Sequence, residues 1–596
     1  MGCYPAILRR ATRTQSARGA KGVTLVPVEL AVDYNRDGNI DLTGGSDQTS
    51  ESNLYRFWLN DDQDTDTSGN GDVVPVTQSD LTPGNIVSKR DLEDWARLWI
   101  SFKGSYNIIK GIVSNGGSVG LQFEPLSSGT DPTPSIKICE AVESSGSTGY
   151  VTDDGIAGQQ IGGQYGDVIT SKDGASINVI GSSPFKLPTN FLDDVDDNTP
   201  KHLIFEGESE GKGKLTLVFF DSSGNKIGEG GAVYMDIKNV KKMYQHKTLG
   251  GQEAWPSGMD FSQDPAETSQ AIVFVHGWRM SPADTVSYSE TMFKRLWWRG
   301  FKGRFVAIRW DTYYDSTDFG WVPYAGQAID AYLAKYNDSE HNAWLTGQSL
   351  ANYVNSSAIP LGYSRNLVAH SMGNVVVGDA LQQGMKINNY ALLNAAIPAA
   401  CYDTSTTLPP APTTTTAGVL GTVHEWDAST PDDDPDTATQ NLAYRGRLKN
   451  VSGNLTSFYL PQDYATSYAW EVNNVLAKPP VYPIAGAPDT EDGYLVFEWG
   501  YNRNAPSGQK LYKGVPGAAR YLTDRDEANS YACRTWAKAV GAEGKTAGPI
   551  GAKVDLSSST YGNFNTEHSA EFDRNIQQLE AFYNALLDSL RIPRNP

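Results

Sequence analysis

The sequence has little cysteine and no long apolar run. Its 596 residues include 4 cysteines, which lie far apart and form no C-x-x-C pair: Cys3, Cys139, Cys401 and Cys533. That spacing indicates neither a dense disulfide framework nor a zinc site, although it leaves room for one or two bridges. No run of 18 apolar residues occurs, so we expect no transmembrane segment.

Positive charge is also in short supply. Lysine and arginine number 49 against 69 aspartates and glutamates, which leaves a formal net charge of −20. Such a surface repels phosphate, so nucleic-acid binding is disfavoured, whereas divalent cations are attracted to it. Apolar material is plentiful, because 39% of the residues are hydrophobic and 11% are aromatic. The chain can therefore form more than one substantial core.

Hydrophobic periodicity divides the chain into a β-rich part and an α/β part. Residues 1–21 carry basic side chains but no apolar core, so we interpret them as a flexible tail and not as a secretory signal. Residues 22–250 alternate apolar and polar positions, as in KLTLVFF (214–220), which predicts an all-β, sandwich-like region. Residues 251–596 alternate apolar strands with helical patterns, which predicts an α/β domain with a mostly parallel sheet.

Six buried strands and two amphipathic helices are predicted in the α/β part. The strands are AIVFV (271–275), RFVAIRW (304–310), RNLVAH (365–370), YALLNAA (390–396), LTSFYL (455–460) and YLVFEW (494–499). One helix contains SYSETMFKRLWW (287–298), and the other ends the chain with an apolar stripe from Phe572 to Leu590. Residues 402–450, which are Thr/Pro-rich and then acidic, are interpreted as an insertion that forms a surface loop or a lid.

A serine stands at the junction of a predicted strand and a predicted helix. RNLVAH is followed by Ser371 within AHSMG, which has the G-x-S-x-G form with Ala369 at the first small position. Small residues around a serine permit a sharp strand-to-helix turn that presents its Oγ at the carboxyl edge of a sheet. The amino end of the helix adds positive potential there. The context therefore favours a nucleophile over a packed serine.

A serine nucleophile needs a base and a carboxylate that orients the base. In the chain order Ser, acid, His the base comes last, and of the 7 histidines only His568, in NFNTEHSAEF, follows the later strands. The acid is expected after LTSFYL, where Asp463 lies in PQDYA. Asp489, Glu491 and Asp492 compete with it, but they precede a strand and would lie at the opposite edge of the sheet.

An oxyanion hole is predicted from two backbone N–H groups. Met372 directly follows the serine, and Trp278 lies in the loop after the strand AIVFV. His276, in the same loop, is interpreted as holding the loop by hydrogen bonds and not as a proton carrier.

Taken in order, VHGW, AHSMG, PQDYA and EHSAEF resemble an α/β-hydrolase of the bacterial lipase/esterase kind, over roughly half of the chain. The alanine in the elbow is similar to that of some bacterial true lipases. The resemblance implies an α/β-hydrolase fold and a serine hydrolase with a Ser371, His568 and Asp463 triad. It also favours a secreted, extracellular bacterial protein, which we expect to be a monomer. The insertion at 402–450 and the long stretch between YLVFEW and His568 depart from the family pattern and leave the cap and the substrate open.

An acidic loop in the β-rich part has the spacing of a calcium loop. DYNRDGNID (33–41) places oxygen ligands at positions 1, 3, 5, 7 and 9, which are Asp33, Asn35, Asp37, Asn39 (through its carbonyl) and Asp41. Position 12 is Gly44, so a further carboxylate must come from elsewhere, for example from the second acidic loop at 60–72. We expect a structural Ca2+, with solvated turns as the alternative, and no cofactor for catalysis.

Two functions follow from these observations. The first is hydrolysis of a small, lipidic or polymeric carboxylic ester through an acyl-enzyme. The second is a calcium-stabilised adhesive or carbohydrate-binding surface protein with an inactive hydrolase-like scaffold. Five tryptophans are either an aromatic environment for bulky esters or core residues: Trp278, Trp297, Trp298, Trp310 and Trp321.

Overall fold

The computed structural model describes residues 24–41, 45–60, 92–127, 129–141, 149, 179–250, 260–312, 339, 342–343, 345–397, 453–461, 463, 466, 541, 550–565, 567–574 and 579–594. The tail 1–21, the insertion 402–450, most of the acidic loop 60–72 and the predicted strand 494–499 lie outside the described residues.

Two β-sheets form the N-terminal part, in agreement with its period-two pattern. Their strands are β1 (Thr24–Leu25), β2 (Glu29–Ala31), β3 (Tyr55–Trp58), β4 (Ala96–Ser101), β5 (Ser118–Pro125), β6 (Ser135–Glu140), β7 (Val179–Ile180), β8 (Phe185–Lys186), β9 (Lys201–Ser209), β10 (Gly211–Phe220) and β11 (Lys226–Lys238). One sheet has the order β1-β11-β10-β5-β8, with β3 also paired to β11, and the other, which is antiparallel, has the order β2-β4-β9-β6-β7. In β11, Val233, Met235 and Ile237 are buried while Ala232 and Tyr234 are partly exposed, as expected for a strand with one buried face.

The C-terminal part is built on a sheet in which every described pairing is parallel. Its strands are β12 (Gln245–Thr248), β13 (Gln270–Val275), β14 (Arg304–Arg309), β15 (Ser364–His370), β16 (Asn389–Leu393), β17 (Asn454–Tyr459) and β18 (Ile550–Asp555). The order across the sheet is β12-β14-β13-β15-β16-β17-β18. Five of the six predicted strands are present, four of them within one residue of their predicted limits, while β16 ends three residues before the predicted end at residue 396.

The two edge strands of this sheet were not predicted. β12 has the polar sequence QHKT and is partly exposed along its length, and β18 exposes Gly551, Ala552 and Lys553. A strand that is paired on one side only and partly solvated lacks the continuous apolar run by which buried parallel strands are recognised. β12 also precedes residue 251, where the sequence pattern predicts that the α/β domain begins, and that boundary stays a prediction.

The strand order reverses at β13. The chain passes from β13 to β14 on one side and then crosses back to β15 on the other side, before continuing to β16, β17 and β18. The loops that follow β13 and β15 therefore leave the carboxyl edge of the sheet side by side and in opposite directions. In open α/β sheets such a switch point is where ligands bind.

Each face of the parallel sheet contributes to a different apolar core. In β13, Ile272 and Phe274 belong to a core shared with the N-terminal sheets, whereas Ala271, Val273 and Val275 pack on the opposite side. In the N-terminal part, helix α1 (Tyr106–Ser114) packs against β5. The helices that flank the parallel sheet are α2 (Pro282–Trp298), α3 (Gly373–Gln382), α4 (Ala570–Asp573) and α5 (Glu580–Ser589). Among the described residues no helix has both the length and the apolar character that crossing a membrane requires.

Helix α2 connects the two parts of the molecule. It begins at a capping box in which the Ser281 hydroxyl accepts from the Asp284 N–H and the Asp284 carboxylate accepts from the Ser281 N–H. From Thr285 to Trp298 nearly every side chain is buried, because the N-terminal sheets cover the face that the parallel sheet leaves open. An amphipathic helix with one apolar face was predicted, but the polar side chains of α2 are buried as well.

Three of the five tryptophans singled out in the sequence are core residues. Trp297 and Trp298 are 6% and 5% exposed, and the Trp297 ring lies 4.9 Å from the ring of Trp58 in the N-terminal part. Trp310 is 1% exposed and its indole N–H donates to the His276 carbonyl. These three rings therefore do not form an aromatic environment for substrate, and Trp321 lies outside the described residues.

The predicted C-terminal helix is divided in two. Arg574 ends α4 in an extended conformation (φ −95°, ψ 156°), and α5 begins at Glu580. The Arg574 guanidinium donates to the carbonyls of Gly562 and Asn563, so this residue is held against the preceding loop and cannot continue the helix. The apolar spacing across residues 572–590 gave no sign of that break.

Two ion pairs join α2 to the short 3-10 helix Leu92–Asp94 of the N-terminal part. Lys294 Nζ lies 2.7 Å from Asp94 Oδ1, and Arg295 Nε lies 3.0 Å from Glu93 Oε1. All four side chains are at most 3% exposed. A buried charge is tolerated only when it is paired. The cations of α2 and the carboxylates of the N-terminal part can therefore be buried only when the two parts of the molecule pack against each other.

We expect Lys294→Met to destabilise the protein by about 3–5 kcal/mol, because the Asp94 carboxylate would remain buried without its cation. Lys137→Met removes a cation of equal size from a surface pair with Glu208, in which both side chains are 38% exposed, and should cost about 1 kcal/mol or less. Urea unfolding of the full chain measures both. Adding Asp94→Asn to Lys294→Met should recover part of the loss, and equal effects of the two lysine variants would contradict the argument.

Candidate active site

Ser371 occupies a strained turn between β15 and α3. Its φ is 51°, in the left-handed region that non-glycine residues avoid, and its N–H donates to the Leu393 carbonyl on β16 at 2.9 Å. α3 begins two residues later at Gly373, with Met372 as its N-cap. Such a conformation costs about 1–3 kcal/mol and persists only where the surroundings enforce it. The strand, turn and helix predicted around AHSMG are all present, and Ser371 is largely buried, at 8% exposed.

Two glycines allow other backbone segments to approach this turn. A Cβ at Gly373 would lie 2.4 Å from the His276 carbonyl oxygen, and a Cβ at Gly277 would lie 3.0 Å from Ser371 Cβ. The loop after β13 therefore lies directly against the serine, as the reversal of strand order at β13 requires. The second small residue of AHSMG is explained by this packing.

The buried side chain of Asn374 holds the backbone of the turn at Ser371. Asn374 Nδ2 donates to the carbonyls of Ala369 (3.0 Å) and Ser371 (2.9 Å), and its Oδ1 accepts from the Tyr390 hydroxyl at 2.6 Å. Both hydrogens and the oxygen of the amide are used, so the carbonyls left by the sharp turn are satisfied. The sequence places Asn374 in the first turn of a predicted helix but does not show that its side chain is buried, so sequence reasoning assigned it no role.

His568 and Asp463 lie together, although 105 residues separate them. His568 Nδ1 is 2.6 Å from Asp463 Oδ2, and the same carboxylate oxygen accepts from the Thr466 hydroxyl at 2.8 Å. Asp463 follows β17 and is fully buried, and His568 lies between β18 and α4 and is 7% exposed. A carboxylate on Nδ1 selects the tautomer that leaves Nε2 as the basic nitrogen.

The loop after β13 is held by His276. Its Nδ1 lies 2.8 Å from the Gly277 carbonyl, and its Nε2 accepts from the Trp310 N–H at 3.4 Å. Burial, with a smaller effect from Arg309, lowers the pKa of His276 to about 4, so the ring is neutral near pH 7. Next in the loop, the Trp278 indole N–H donates to the Ser339 hydroxyl at 3.0 Å. The oxyanion roles of the Trp278 and Met372 backbone N–H groups stay predictions.

Two further polar residues surround His568, and sequence reasoning assigned neither of them a role. His370 Nε2 and Asn394 Nδ2 lie 3.0 Å and 2.7 Å from the His568 carbonyl oxygen. Burial, followed by the charge of His568, lowers the pKa of His370 to about 3. Both residues stand at the carboxyl ends of neighbouring strands, β15 and β16, which is the positional signal that was available.

The predicted calcium loop is closed by its own hydrogen bonds. Both oxygens of Asp33 accept backbone N–H groups, from Asp37 and Gly38, and Asp47 accepts from Asn35 and Asp41. Burial first, and then the charges of Asp47 and Asp37, raise the pKa of Asp33 to about 7. In the described part of the chain no group of three or more His, Cys, Asp or Glu side chains has metal-binding geometry. Asp47 is the further carboxylate that the described residues bring to this loop, because it accepts the N–H groups of Asn35 and Asp41, whereas most of the second acidic loop at 60–72 lies outside the described residues.

No protein-family model and no curated protein matches the chain. Among solved structures, it is similar to carboxylesterase CesB from Bacillus subtilis, with 10% sequence identity and a TM-score of 0.14 over 33% of this chain and 67% of that one. A likeness of this size carries no argument about the site. The α/β class rests on the parallel sheet and its flanking helices.

The close contacts at Gly373 predict an unusual sign for a common substitution. Gly→Ala in a helix ordinarily stabilises by about 0.5–1 kcal/mol. Gly373→Ala should instead destabilise by about 1–3 kcal/mol, because its Cβ would meet backbone oxygens at 2.4 and 2.6 Å that cannot move aside. Gly111→Ala in α1 has no heavy atom within 4 Å of the new Cβ and should stabilise. The midpoints of thermal unfolding of the two variants are compared with that of the wild-type protein. A higher midpoint for Gly373→Ala would show that the predicted clash is absent.

Proposed function

We propose that the protein is a serine hydrolase of carboxylic esters. The observation that carries this proposal is the buried hydrogen bond of 2.6 Å between His568 Nδ1 and Asp463 Oδ2. A second support is the position of Ser371, which lies in a strained turn at the switch point of the parallel sheet. Gly277, in the loop after β13, packs directly against Ser371. A base oriented by a carboxylate next to an elbow serine is the arrangement used for acyl transfer.

The mechanism follows from the roles of the three side chains. Ser371 Oγ attacks the acyl carbon while His568 Nε2 takes the hydroxyl proton, and Asp463 stabilises the imidazolium through Nδ1–H. His568 then gives that proton to the departing alkoxide, which leaves as the alcohol. A water molecule, deprotonated by His568, then attacks the acyl carbon of the acyl-enzyme, and the acid is released as the bond to Ser371 Oγ breaks and His568 returns the proton to that oxygen. Backbone N–H groups of Met372 and Trp278 bind the oxyanion in both steps.

Removal of the nucleophile gives the direct test of this proposal. Ser371→Ala should lower turnover of a p-nitrophenyl ester by about 10^4-fold or more, because the triad acts as a unit. The same variant, and also His568→Ala, should abolish labelling by a fluorophosphonate probe. Ser557→Ala, which changes an exposed serine in a surface turn, should leave both readouts unchanged. Wild-type rates in Ser371→Ala would refute the assignment, and a folded wild-type protein that resists the probe would favour the binding-protein alternative.

We also propose that Ca2+ stabilises the acidic loop at 33–41. Asp33 is 5% exposed and lies close enough to Asp47 and Asp37 for their charges to raise its pKa. When the carboxylates of Asp33, Asp37 and Asp47 are all ionised, three like charges repel one another in a partly desolvated loop. A hard divalent cation would relieve that repulsion. Each carboxylate oxygen that accepts one N–H keeps a second lone pair for such an ion.

Calcium should raise the midpoint of thermal unfolding at pH 8 more than at pH 5. The pKa of Asp33 is raised on folding, so its stabilising contribution is complete below its unfolded pKa and is lost as pH rises through about 7. Calcium should restore that loss at pH 8, whereas at pH 5 it competes with the proton. Asp33→Asn should remove the response, and Asp221→Asn, in an exposed turn of similar local geometry, should retain it. Equal midpoints with calcium and with EDTA at pH 8 would contradict the proposal.

A further inference from the structure

The backbone carbonyl of His568 is held by two buried side chains from neighbouring strands. His370 Nε2 lies 3.0 Å from this oxygen and Asn394 Nδ2 lies 2.7 Å from it. Because a carbonyl only accepts, both nitrogens must donate, and His370 is therefore the Nε2–H tautomer. The carbonyl precedes α4 and takes no part in the two described helical hydrogen bonds of that short segment, which are accepted by Ser569 and Ala570.

Each of the two donors is itself fixed by the sheet. His370 is the last residue of β15 and directly precedes Ser371, so one strand end carries both the nucleophile and a donor to the base. Asn394 has φ 42°, a region that asparagine tolerates better than most residues, and its N–H donates to the Phe458 carbonyl on the neighbouring strand β17. Its side chain is thereby turned toward His568.

The ring of His370 also lies against the ring of His568. Their centroids are 4.8 Å apart, and Phe572 closes another side of His370 at 5.3 Å. Within the described part of the chain, the titratable groups that face His370 are His568, Glu571, whose Oε1 is 3.5 Å from Nε2, and His276. Burial keeps the His370 imidazole neutral, so it adds no positive charge beside His568 when that ring becomes an imidazolium.

We propose that His370 and Asn394 are positioning residues for the reaction, which place the imidazole of His568 by holding its backbone carbonyl. This inference rests on the proposed serine hydrolase. It adds that two sets of contacts hold His568 in place. Asp463 binds its imidazole ring, and the side chains at the ends of β15 and β16 bind its main-chain carbonyl. The hydrogen bonds by which both donors hold His568 are made to its main-chain oxygen and not to its ring nitrogens.

The test compares donors and non-donors at each position. His370→Met removes the donor, whereas His370→Gln places an amide N–H2 near the position of Nε2. Asn394→Asp keeps the shape of the side chain and its tolerance of positive φ, but it replaces the donor with an acceptor. Turnover of a p-nitrophenyl ester is measured for each variant, and kcat is normalised to the fraction of sites that a fluorophosphonate probe labels.

His370→Met and Asn394→Asp should lower kcat by about 10–100-fold with KM changed by less than about twofold, because a misplaced base affects the chemical step and not ground-state binding. His370→Gln should recover most of the loss. A purely structural role would reduce the labelled fraction and leave normalised kcat and the pH profile of kcat/KM unchanged. That result, or equal rates for the Met and Gln variants, would overturn the inference.

A second measurement separates this inference from the proposed function. The His568 Nδ1–H proton, in a short hydrogen bond to Asp463, should give a downfield proton resonance that disappears in His568→Ala. We expect it to shift or broaden in His370→Met and Asn394→Asp, and to return in His370→Gln, even in a Ser371→Ala background. Turnover that survives Ser371→Ala would refute the hydrolase assignment alone, whereas an unshifted resonance in both non-donor variants would refute the positioning role.

Discussion

Arg295 is fully buried, and the structure around it is arranged to satisfy its charge. A guanidinium stays protonated at any pH the protein meets, so it must find acceptors wherever the chain places it. Its Nε pairs with Glu93, while its two terminal nitrogens donate to the carbonyls of Glu571 and Arg574. The acceptors come from the β-rich part and from the segment that follows His568. One side chain of α2 therefore fixes the candidate base relative to the N-terminal sheets, and this makes the β-rich part a portion of the site's scaffold.

The turn at Ser371 depends on the same kind of enforcement by neighbours. Its positive φ is unfavourable locally, yet its N–H continues the ladder to β16, Asn374 binds its carbonyl, and Gly373 lets the β13 loop close over it. Each of these contacts is satisfied only if the turn is sharp. The tertiary contacts thus stabilise a backbone conformation of Ser371 that would be unfavourable in an isolated peptide. The conformation of Ser371 and the stability of the fold are therefore coupled, because relaxing the turn would break several buried hydrogen bonds together.

How much could be predicted from the sequence depended on the range of the interactions involved. The strands β13 to β17 and the turn at Ser371 could be predicted from the sequence, because their signals, apolar runs and small residues, each span only a few consecutive positions. Asp463 and His568 could be placed by chain order, and they do lie together. β12 and β18 carry no apolar run, since an edge position does not demand one. Arg295 could not be identified, because the carbonyls that it binds lie 276 and 279 residues away in the sequence. Asn374 and Asn394 offered only their positions, at the start of a helix and at the end of a strand.

Three histidines stand near the switch point, and their environments give them different chemistry. His276 has a carbonyl at Nδ1 and a backbone N–H at Nε2, and burial lowers its pKa to about 4. His370 donates to a carbonyl, and burial lowers its pKa to about 3. Among the residues that the structure describes, neither ring has a carboxylate at Nδ1 to stabilise an imidazolium, whereas His568 has Asp463 there at 2.6 Å. A base must gain a proton during the reaction and return it, so the ring whose charged form is stabilised is the one suited to that work. The two rings with lowered pKa values suit the opposite role, because groups that stay neutral near pH 7 can hold a loop and a main-chain carbonyl in place while, in the proposed mechanism, His568 gains and returns a proton.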